Sequence, residues 1–486
     1  MRLSDLVKRD LSVDPQIEGV TADSRKVRPG WLFAALPGAK VDGRSFAPRA
    51  LEQGAAAILA GREIEGVGAP LVIAADPRRA YALAAAAFWG AQQPGTCVAV
   101  TGTNGKTSVA GFCRQMFAHA GFKAASMGTL GVRVSAPGAA DTQITPPGLT
   151  TPDAADVAEL MAQLAQSGVT HLAMEASSHG IDQRRLDGVK LTAAGFLNLT
   201  QDHLDYHGTM GVYRAAKLRL FETLLSRGRT AVLNADSDAY AAFAGTAVAA
   251  GQTVMSVGAA GQGLTLLERT PTPAGQRLKI AHDGKAYDVI LPLAGAFQAS
   301  NALVAAGLVV AARLTLEEAF AGLERLEGAP GRLQRVGAGP RGGEAYVDYA
   351  HTPDGLATVL AALRPHVRGK LIVVFGAGGD RDRTKRPLMG RIATELADVA
   401  IVTDDNPRSE APGAIRAEIL TGAKGAKEIG DRHEAIREAA RLLSEGDILV
   451  VAGKGHEQGQ IVGDVVHPFD DVTETAQALR SAAGDA

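Results

Sequence analysis

Apolar runs, each followed by a polar turn and a stretch of helical spacing, recur along most of this chain. In its middle they fall at residues 97–100, 171–174, 194–198 and 230–233, and towards its end at 345–347, 371–375, 399–403 and 448–451. Strand–helix alternation of this kind predicts parallel sheets with helices on their faces. The segment before residue 92 is less regular, mixing short strands and helices and closing with an alanine-rich helix that ends near Trp89. Two stretches with Pro-Gly turn signals, Gln92-Gln-Pro-Gly95 and Gly328-Ala-Pro-Gly331, read as linkers. The expectation is an α/β protein of three consecutive α/β domains, over residues 1–92, 93–331 and 332–486. Helix starts are predicted as well. One lies near Ser108. Another is opened by Thr151-Pro-Asp153, with Thr151 as the cap, Pro152 in the first turn and Asp153 complementing the helix dipole.

Composition narrows the function classes. Of 486 residues, 46% are hydrophobic and 21% charged, so the chain buries cores and is not disordered. A net charge of −2 gives no reason to expect a nucleic-acid binder or a membrane-surface protein. The two cysteines, Cys97 and Cys113, lack metal-ligand spacing and read as small core residues. The N-terminus has no apolar signal core, and the best apolar run, residues 302–312, is too short to span a bilayer. A soluble cytoplasmic protein is expected.

The first chemistry lies between the run at 97–100 and the helix near Ser108, where the chain reads Thr101-Gly-Thr-Asn-Gly-Lys-Thr107. Strand, glycine loop and helix, in that order, build a phosphate cradle. Backbone N–H groups freed by Gly102 and Gly105 point inward, and the helix N-terminus adds partial positive charge. Lys106 reaches the outer phosphates and the Thr107 hydroxyl ligates Mg²⁺. The general pattern has glycine where this chain has Val100. The motif implies ATP or GTP. Glu175 lies at the carboxyl end of the run 171–174, where ligands gather in doubly wound sheets, and is a candidate Mg²⁺ ligand. Ser177-Ser-His-Gly180 and the polar run 198–207 add hydroxyls and imidazoles at strand ends. Lys217, on an amphipathic helix over residues 213–221, reads by itself as a solvated surface charge.

Several motifs together resemble the Mur ligases of peptidoglycan synthesis. They are Gly102-Thr-Asn-Gly-Lys-Thr107, Met174-Glu-Ala-Ser-Ser-His179, Asn198-Leu-Thr-Gln-Asp-His203, Tyr213-x-x-Ala-Lys217, Asp348-Tyr-Ala-His-Thr-Pro353 and Gly376-Ala-Gly-Gly-Asp380, in order over essentially the whole chain. The resemblance implies a central P-loop-type mononucleotide-binding sheet, a C-terminal Rossmann-like sheet and ATP-dependent amide ligation. It implies ATP contacts from Gly102, Thr103, Asn104, Gly105, Lys106, Thr107 and Ser108, with Asn301 and Arg332 also touching the nucleotide. It implies two Mg²⁺ ions held by Thr107, Glu175, His203 and Lys217, the last as a carbamate made with CO₂. Lys106, Glu175, His203 and Lys217 then form the catalytic set. Thr150, Thr151, Ser177, Gln183 and Arg185 match residues that grip the UDP-muramoyl-dipeptide, and Ser24 matches a uracil contact. After Gly38 some relatives carry histidine where this chain has Ala39-Lys40. The chain is most similar to members that add diaminopimelate, whose pattern is Asp405-Asn-Pro-Arg408; Arg381, Asp405, Asn406, Pro407, Arg408, Gly453 and Glu457 match their contacts with that amino acid. The implied substrates are small molecules: UDP-N-acetylmuramoyl-L-alanyl-D-glutamate, meso-diaminopimelate and ATP. A monomer is expected.

The implied chemistry is physically coherent. Amide formation needs a carboxyl oxygen turned into a leaving group, which phosphorylation by ATP achieves. Two unit charges at ~4 Å repel by roughly 4 kcal/mol at an effective dielectric near 20, and carboxylate meets polyphosphate through several such pairs. Divalent ions offset that repulsion and hold in-line geometry. Diaminopimelate differs from lysine by a second carboxylate, which the planar fork of Arg408 suits. Two other readings compete: another ligase of the superfamily, such as folylpolyglutamate synthetase, and a nucleotide switch without an amine pocket. The loop at 405–408 argues against the first, and the polar density at three strand ends against the second.

Overall fold

The computed structural model describes residues 1–38, 41–146 and 148–484. Ala39 and Lys40, where the sequence departs from some relatives, lie outside the described residues. The chain forms two compact units, Met1–Thr265 with Leu303–Gly322, and Leu266–Ala302 with Leu323–Ala486. No helix among the described residues is long and apolar enough to cross a membrane.

The first unit contains two sheets. Strands Gly19–Thr21, Trp31–Ala35, Ala57–Ala60 and Leu71–Ile73 pair in parallel and in chain order. Helix Pro77–Phe88 covers them and shares a core with helix Ala154–Gln166 through Tyr81, Ala85, Ala154 and Ala158. In the second sheet the apolar run around residue 98 becomes the strand Thr96–Thr101, between His171–Glu175 on one side and Ala193–Phe196 on the other. Thr230–Asn234 and Thr253–Gly258 extend the sheet in parallel beyond Ala193–Phe196, and Ala124–Gly128 does so beyond His171–Glu175. Gly131–Ser135 and Thr142–Thr145 then add antiparallel strands. The strand order reverses on either side of Thr96–Thr101, so the loops leaving it and its two neighbours diverge around one cleft. Cys97 and Cys113 are both fully buried, as small core residues should be.

The second unit carries the antiparallel hairpin Gly275–His282 and Lys285–Leu291 and a six-stranded sheet. Glu344–Asp348, Ile448–Ala452, Leu371–Phe375, Val399–Val402 and Lys427–Glu428 run parallel in that order, with Gln334–Ala338 antiparallel at the edge. Their side chains feed separate apolar clusters on the two faces, one around Tyr346, Val373 and Val450, the other around Val347, Val374 and Val451. Buried His366 ties the hairpin to this unit. Its Nε2 accepts from the Gly295 N–H at 2.9 Å, so its Nδ1 carries the proton and donates to the Gly275 carbonyl at 2.8 Å.

Several expectations change. The helix after the glycine loop starts at Lys106 rather than near Ser108, because Gly105 takes φ 88° and turns the chain early. Asp153, not Thr151, caps helix Ala154–Gln166, its carboxylate accepting from the Ala155 N–H at 3.1 Å. Thr151 is committed elsewhere: its hydroxyl donates to the Glu175 carbonyl at 3.0 Å. Lys217 is not a surface charge. Its helix, Met210–Arg219, passes into a wider π-type turn at Leu220–Leu224, and its side chain is 1% exposed.

Candidate active site

The phosphate loop is pinned before anything binds. Asn104 N–H donates to Asn198 Oδ1 at 2.9 Å, Asn198 Nδ2 returns to the Asn104 carbonyl at 3.2 Å, and Thr103 N–H donates to the Asn198 carbonyl at 3.0 Å. The loop leaving Ala193–Phe196 therefore braces the loop leaving Thr96–Thr101. Lys106 curls back to donate to the carbonyls of Gly102 and Thr103, both at 2.9 Å. Thr107 is partly buried beside it, and Ser108 is buried.

Three groups of the expected catalytic set converge here. Glu175 ends its strand 3% exposed, with Oε1 accepting from the Thr129 N–H at 2.9 Å. Burial raises its pKa, while hydrogen bonds from Thr129 and Thr107 and the charge of Lys106 oppose the rise. Gly128 has to be glycine, since a Cβ there would stand 1.9 Å from Glu175 Oε1. Lys217 Nζ donates to the Gly102 carbonyl at 2.7 Å and stands 4.6 Å from the Tyr213 ring centroid. The two lysines thus share one carbonyl. Burial, and then the neighbouring charge of Lys106, push the Lys217 amine well below its usual pKa; burial also lowers that of Lys106. His203 is placed differently. It is half-exposed at φ 52°, with Nε2 3.4 Å from Asp202 and its ring edge-on to His179 at 4.9 Å.

Among the described residues, no three His, Cys, Asp or Glu side chains gather as a metal site. The donors facing the cradle are instead the Thr107 hydroxyl and the Glu175 carboxylate, oxygen ligands of the kind Mg²⁺ takes together with phosphate oxygens. Lys217 fits the carbamate role on its own terms. Only a neutral amine attacks CO₂, and burial beside Lys106, with no carboxylate in ion-pairing distance among the described residues, shifts this amine towards that form.

The residues expected to grip the dipeptide form one chain of hydrogen bonds at the same strand end. The Thr151 and Ser177 hydroxyls meet at 2.9 Å, and Thr150 meets Thr129 at 2.9 Å. Arg185 donates to the Thr151 carbonyl at 2.5 Å and to Gln183 Oε1 at 2.8 Å. Ser24 lies apart, in a groove of about 1020 Å³ whose walls include Trp31, Phe88 and Trp89.

In the second unit a cavity of about 540 Å³ is lined by Arg381, Asp405, Asn406, Arg408, Gly453 and Glu457. Pro407 holds the loop turn, its carbonyl accepting from the Glu410 N–H. Arg408 takes φ 50° and donates from Nη1 to the Gly379 carbonyl at 2.8 Å. Its backbone is clipped to the hairpin Gly459–Val462 and Val465–Pro468 by bonds with Ile461 and Gly463. Arg332 lies over the Tyr349 ring at 5.2 Å, and Asn301 is buried, donating to Gln298 Oε1 at 3.3 Å.

Family models match in the same order as these features: the Mur ligase family catalytic domain over residues 16–88, the Mur ligase middle domain over 100–309, and the Mur ligase glutamate ligase domain over 331–455. The chain is 71% identical over 479 residues to the UDP-N-acetylmuramoyl-L-alanyl-D-glutamate–2,6-diaminopimelate ligase of Caulobacter vibrioides, with 98% of each chain covered. It belongs to the Mur ligase family. The enzyme of the same name from Mesorhizobium japonicum is 52% identical, covering 99% of this chain and all of that one. A solved structure, also titled as a UDP-N-acetylmuramoyl-L-alanyl-D-glutamate–2,6-diaminopimelate ligase, superposes with a TM-score of 0.81 at 34% identity, over 100% of this chain and 99% of that one. As a Mur ligase the chain is an ATP-dependent, amide-forming enzyme.

Sequence reasoning passed over three residues of this Mur ligase site. Thr129 orients Glu175 and Asn198 pins the phosphate loop; the first carries no local signal, while Asn198 opens a quoted motif without a role. Lys454 is fully buried, donating to Asn406 Oδ1 at 2.9 Å. Its signal was the polar run Gly453-Lys-Gly-His-Glu457 directly after an apolar strand.

Proposed function

We infer that this Mur ligase joins meso-2,6-diaminopimelate to the D-glutamyl carboxylate of UDP-N-acetylmuramoyl-L-alanyl-D-glutamate, converting ATP to ADP and phosphate. The observation that carries the reading is the 540 Å³ cavity, in which the Asp405-Asn-Pro-Arg408 loop sets an arginine fork among three carboxylates. Identity of 71% to a ligase named for this reaction supports it. A lysine has no far carboxylate to meet Arg408. A switch protein would need no such cavity.

The residues divide the work. Lys106 and the loop N–H groups hold the triphosphate, with Thr107 and Glu175 facing it. Thr150, Thr151, Ser177, Gln183 and Arg185 orient the dipeptide, so its carboxylate oxygen reaches the γ-phosphorus as ADP departs. The acyl phosphate then meets the diaminopimelate amine; the C–N bond forms and inorganic phosphate leaves. Bound Mg²⁺ neutralises phosphate charge, and Thr107, Glu175, His203 and carbamylated Lys217 are its proposed ligands. Carbamylation turns the neutral Lys217 amine and CO₂ into an anion with loss of one proton, placing a negative charge where the free amine has none. Reliance on UDP-linked and nucleotide substrates supports a cytoplasmic setting.

The test is amine-dependent phosphate release from ATP with the UDP-muramoyl-dipeptide and Mg²⁺. Release should be strong with diaminopimelate and weak with lysine or no amine. Equal release in all three refutes the reading.

A further inference from the structure

Asp405 and Glu457 both face the amino-acid cavity, and two acids in one small space need a compensating cation. Three bases line that cavity, Arg381, Lys385 and Arg408, against three acids, Asp382, Asp405 and Glu457. The walls alone are therefore balanced. Behind them sits Lys454, 0% exposed, with Nζ 3.6 Å from Asp405 Oδ1 and 3.5 Å from Glu457 Oε2. It adds a positive charge beyond that balance, whereas buried Arg432, which also acts on Asp405 and Glu457, is neutralised by Asp471. It also fixes an amide: Asn406 Oδ1 accepts from both Lys454 Nζ and the Ile461 N–H, each at 2.9 Å, so Nδ2 has to face Glu457 Oε2, also at 2.9 Å. Asp405 Oδ1 is buried with no hydrogen-bond partner, so Lys454 holds that oxygen by charge and leaves its lone pairs available.

We propose that Lys454, which touches no substrate, is a positioning residue that sets selectivity for the doubly acidic amino acid. The proposal rests on the reading that this cavity takes diaminopimelate. Diaminopimelate carries one more carboxylate than lysine, and the excess positive charge from Lys454 matches it. The same ammonium fixes which face of Asn406 and which oxygen of Asp405 meet the incoming amino acid.

The experiment compares wild type, Lys454→Met, Lys454→Gln and Lys454→Arg in steady state, with diaminopimelate and lysine as amines. In Lys454→Met the KM for diaminopimelate should rise on the order of 30-fold, while the KM values for ATP and UDP-muramoyl-dipeptide stay within about 2-fold. The kcat/KM ratio of diaminopimelate to lysine should fall about 10-fold. Lys454→Arg should restore most of both. Lys454→Gln, which keeps a donor without charge, should recover the KM in part but not the ratio; it carries the test if the Met variant does not fold. An unchanged ratio in both Met and Gln variants, or equal loss for all three substrates, overturns the proposal. Wild type inactive with diaminopimelate would instead overturn the functional reading.

Discussion

The phosphate cradle and the amino-acid cavity treat positive charge in opposite ways. Around the cradle, buried Lys217 and half-buried Lys106 stand side by side, share the Gly102 carbonyl, and have no acid in ion-pairing distance among the described residues. Burial and mutual repulsion hold Lys217 towards its neutral form. Among the described residues of the second unit, the buried lysine and arginines each have acids beside them: Arg432 with Asp471 at 2.6 Å, Arg386 with Glu410 and Glu418 both at 2.8 Å, and Lys454 between Asp405 and Glu457. An amine left unpaired in a buried site costs stability and stays open to the proposed carbamylation or to phosphate charge. Cations paired with acids hold a fixed pattern of charge, as recognition needs. The difference separates a chemical site from a recognition site.

The comparison breaks most visibly at Lys106. Lys106→Ala should lower kcat by on the order of 10³-fold, as removal of a phosphate-stabilising cation does; a kcat within 10-fold of wild type in a phosphate-release assay would place the phosphates elsewhere. Lys217→Ala should be nearly inactive and regain part of its rate with small carboxylates. Because burial beside Lys106 lowers the Lys217 pKa, wild-type activity should decline as pH falls through that lowered pKa, and added bicarbonate should oppose the decline. An acid limb indifferent to bicarbonate argues against the carbamate.

Arg408→Ala should weaken diaminopimelate by about 2–5 kcal/mol in kcat/KM, losing selectivity over lysine before it loses ATP chemistry. Preference for diaminopimelate that survives intact would move recognition off the 405–408 loop. The sharpest contrast is in stability. Without metal or bicarbonate, Lys217→Met should raise the thermal midpoint by a few degrees while ending turnover, since it removes an unpaired buried amine. Arg386→Met should lower it, since it strands Glu410 and Glu418. Opposite signs support the division; like signs remove it. The smallest effect concerns acid stability. Glu410 is held down to about 2, first by its hydrogen bonds with Arg386. Its contribution is present above the ordinary carboxylate pKa and is lost as pH falls from there towards 2. Glu410→Gln should flatten the thermal midpoint against pH over that window.

Much of this was legible in the sequence. The apolar runs found four strands of the central sheet and four of the last sheet to within one or two residues, because uninterrupted apolar segments have few other uses; Ala124–Gly128, Thr253–Gly258 and the strands of the first sheet were not among them. The glycine loop and the acid at the end of its neighbouring strand located the cradle, because phosphate binding needs a strand, a loop and a helix in that order. The hairpins at 275–291 and 459–468 were not visible: their strands mix polar and apolar residues without a clear run. Lys217 was invisible to periodicity, because a charge on a helix is usually solvated and only the fold shows what buries it. Asp153 took the cap from Thr151 because Thr151 was needed by Glu175 and Ser177. That preference depends on residues 24 and 26 positions away.

The most direct measurement is the stoichiometry of products by mass spectrometry, with UDP-muramoyl-dipeptide, ATP, Mg²⁺, bicarbonate and equal amounts of diaminopimelate and lysine. The account predicts one ADP for each UDP-muramoyl-tripeptide, with diaminopimelate in nearly all of the tripeptide. ADP accumulating without a lengthened peptide, or lysine incorporated as readily, would contradict it.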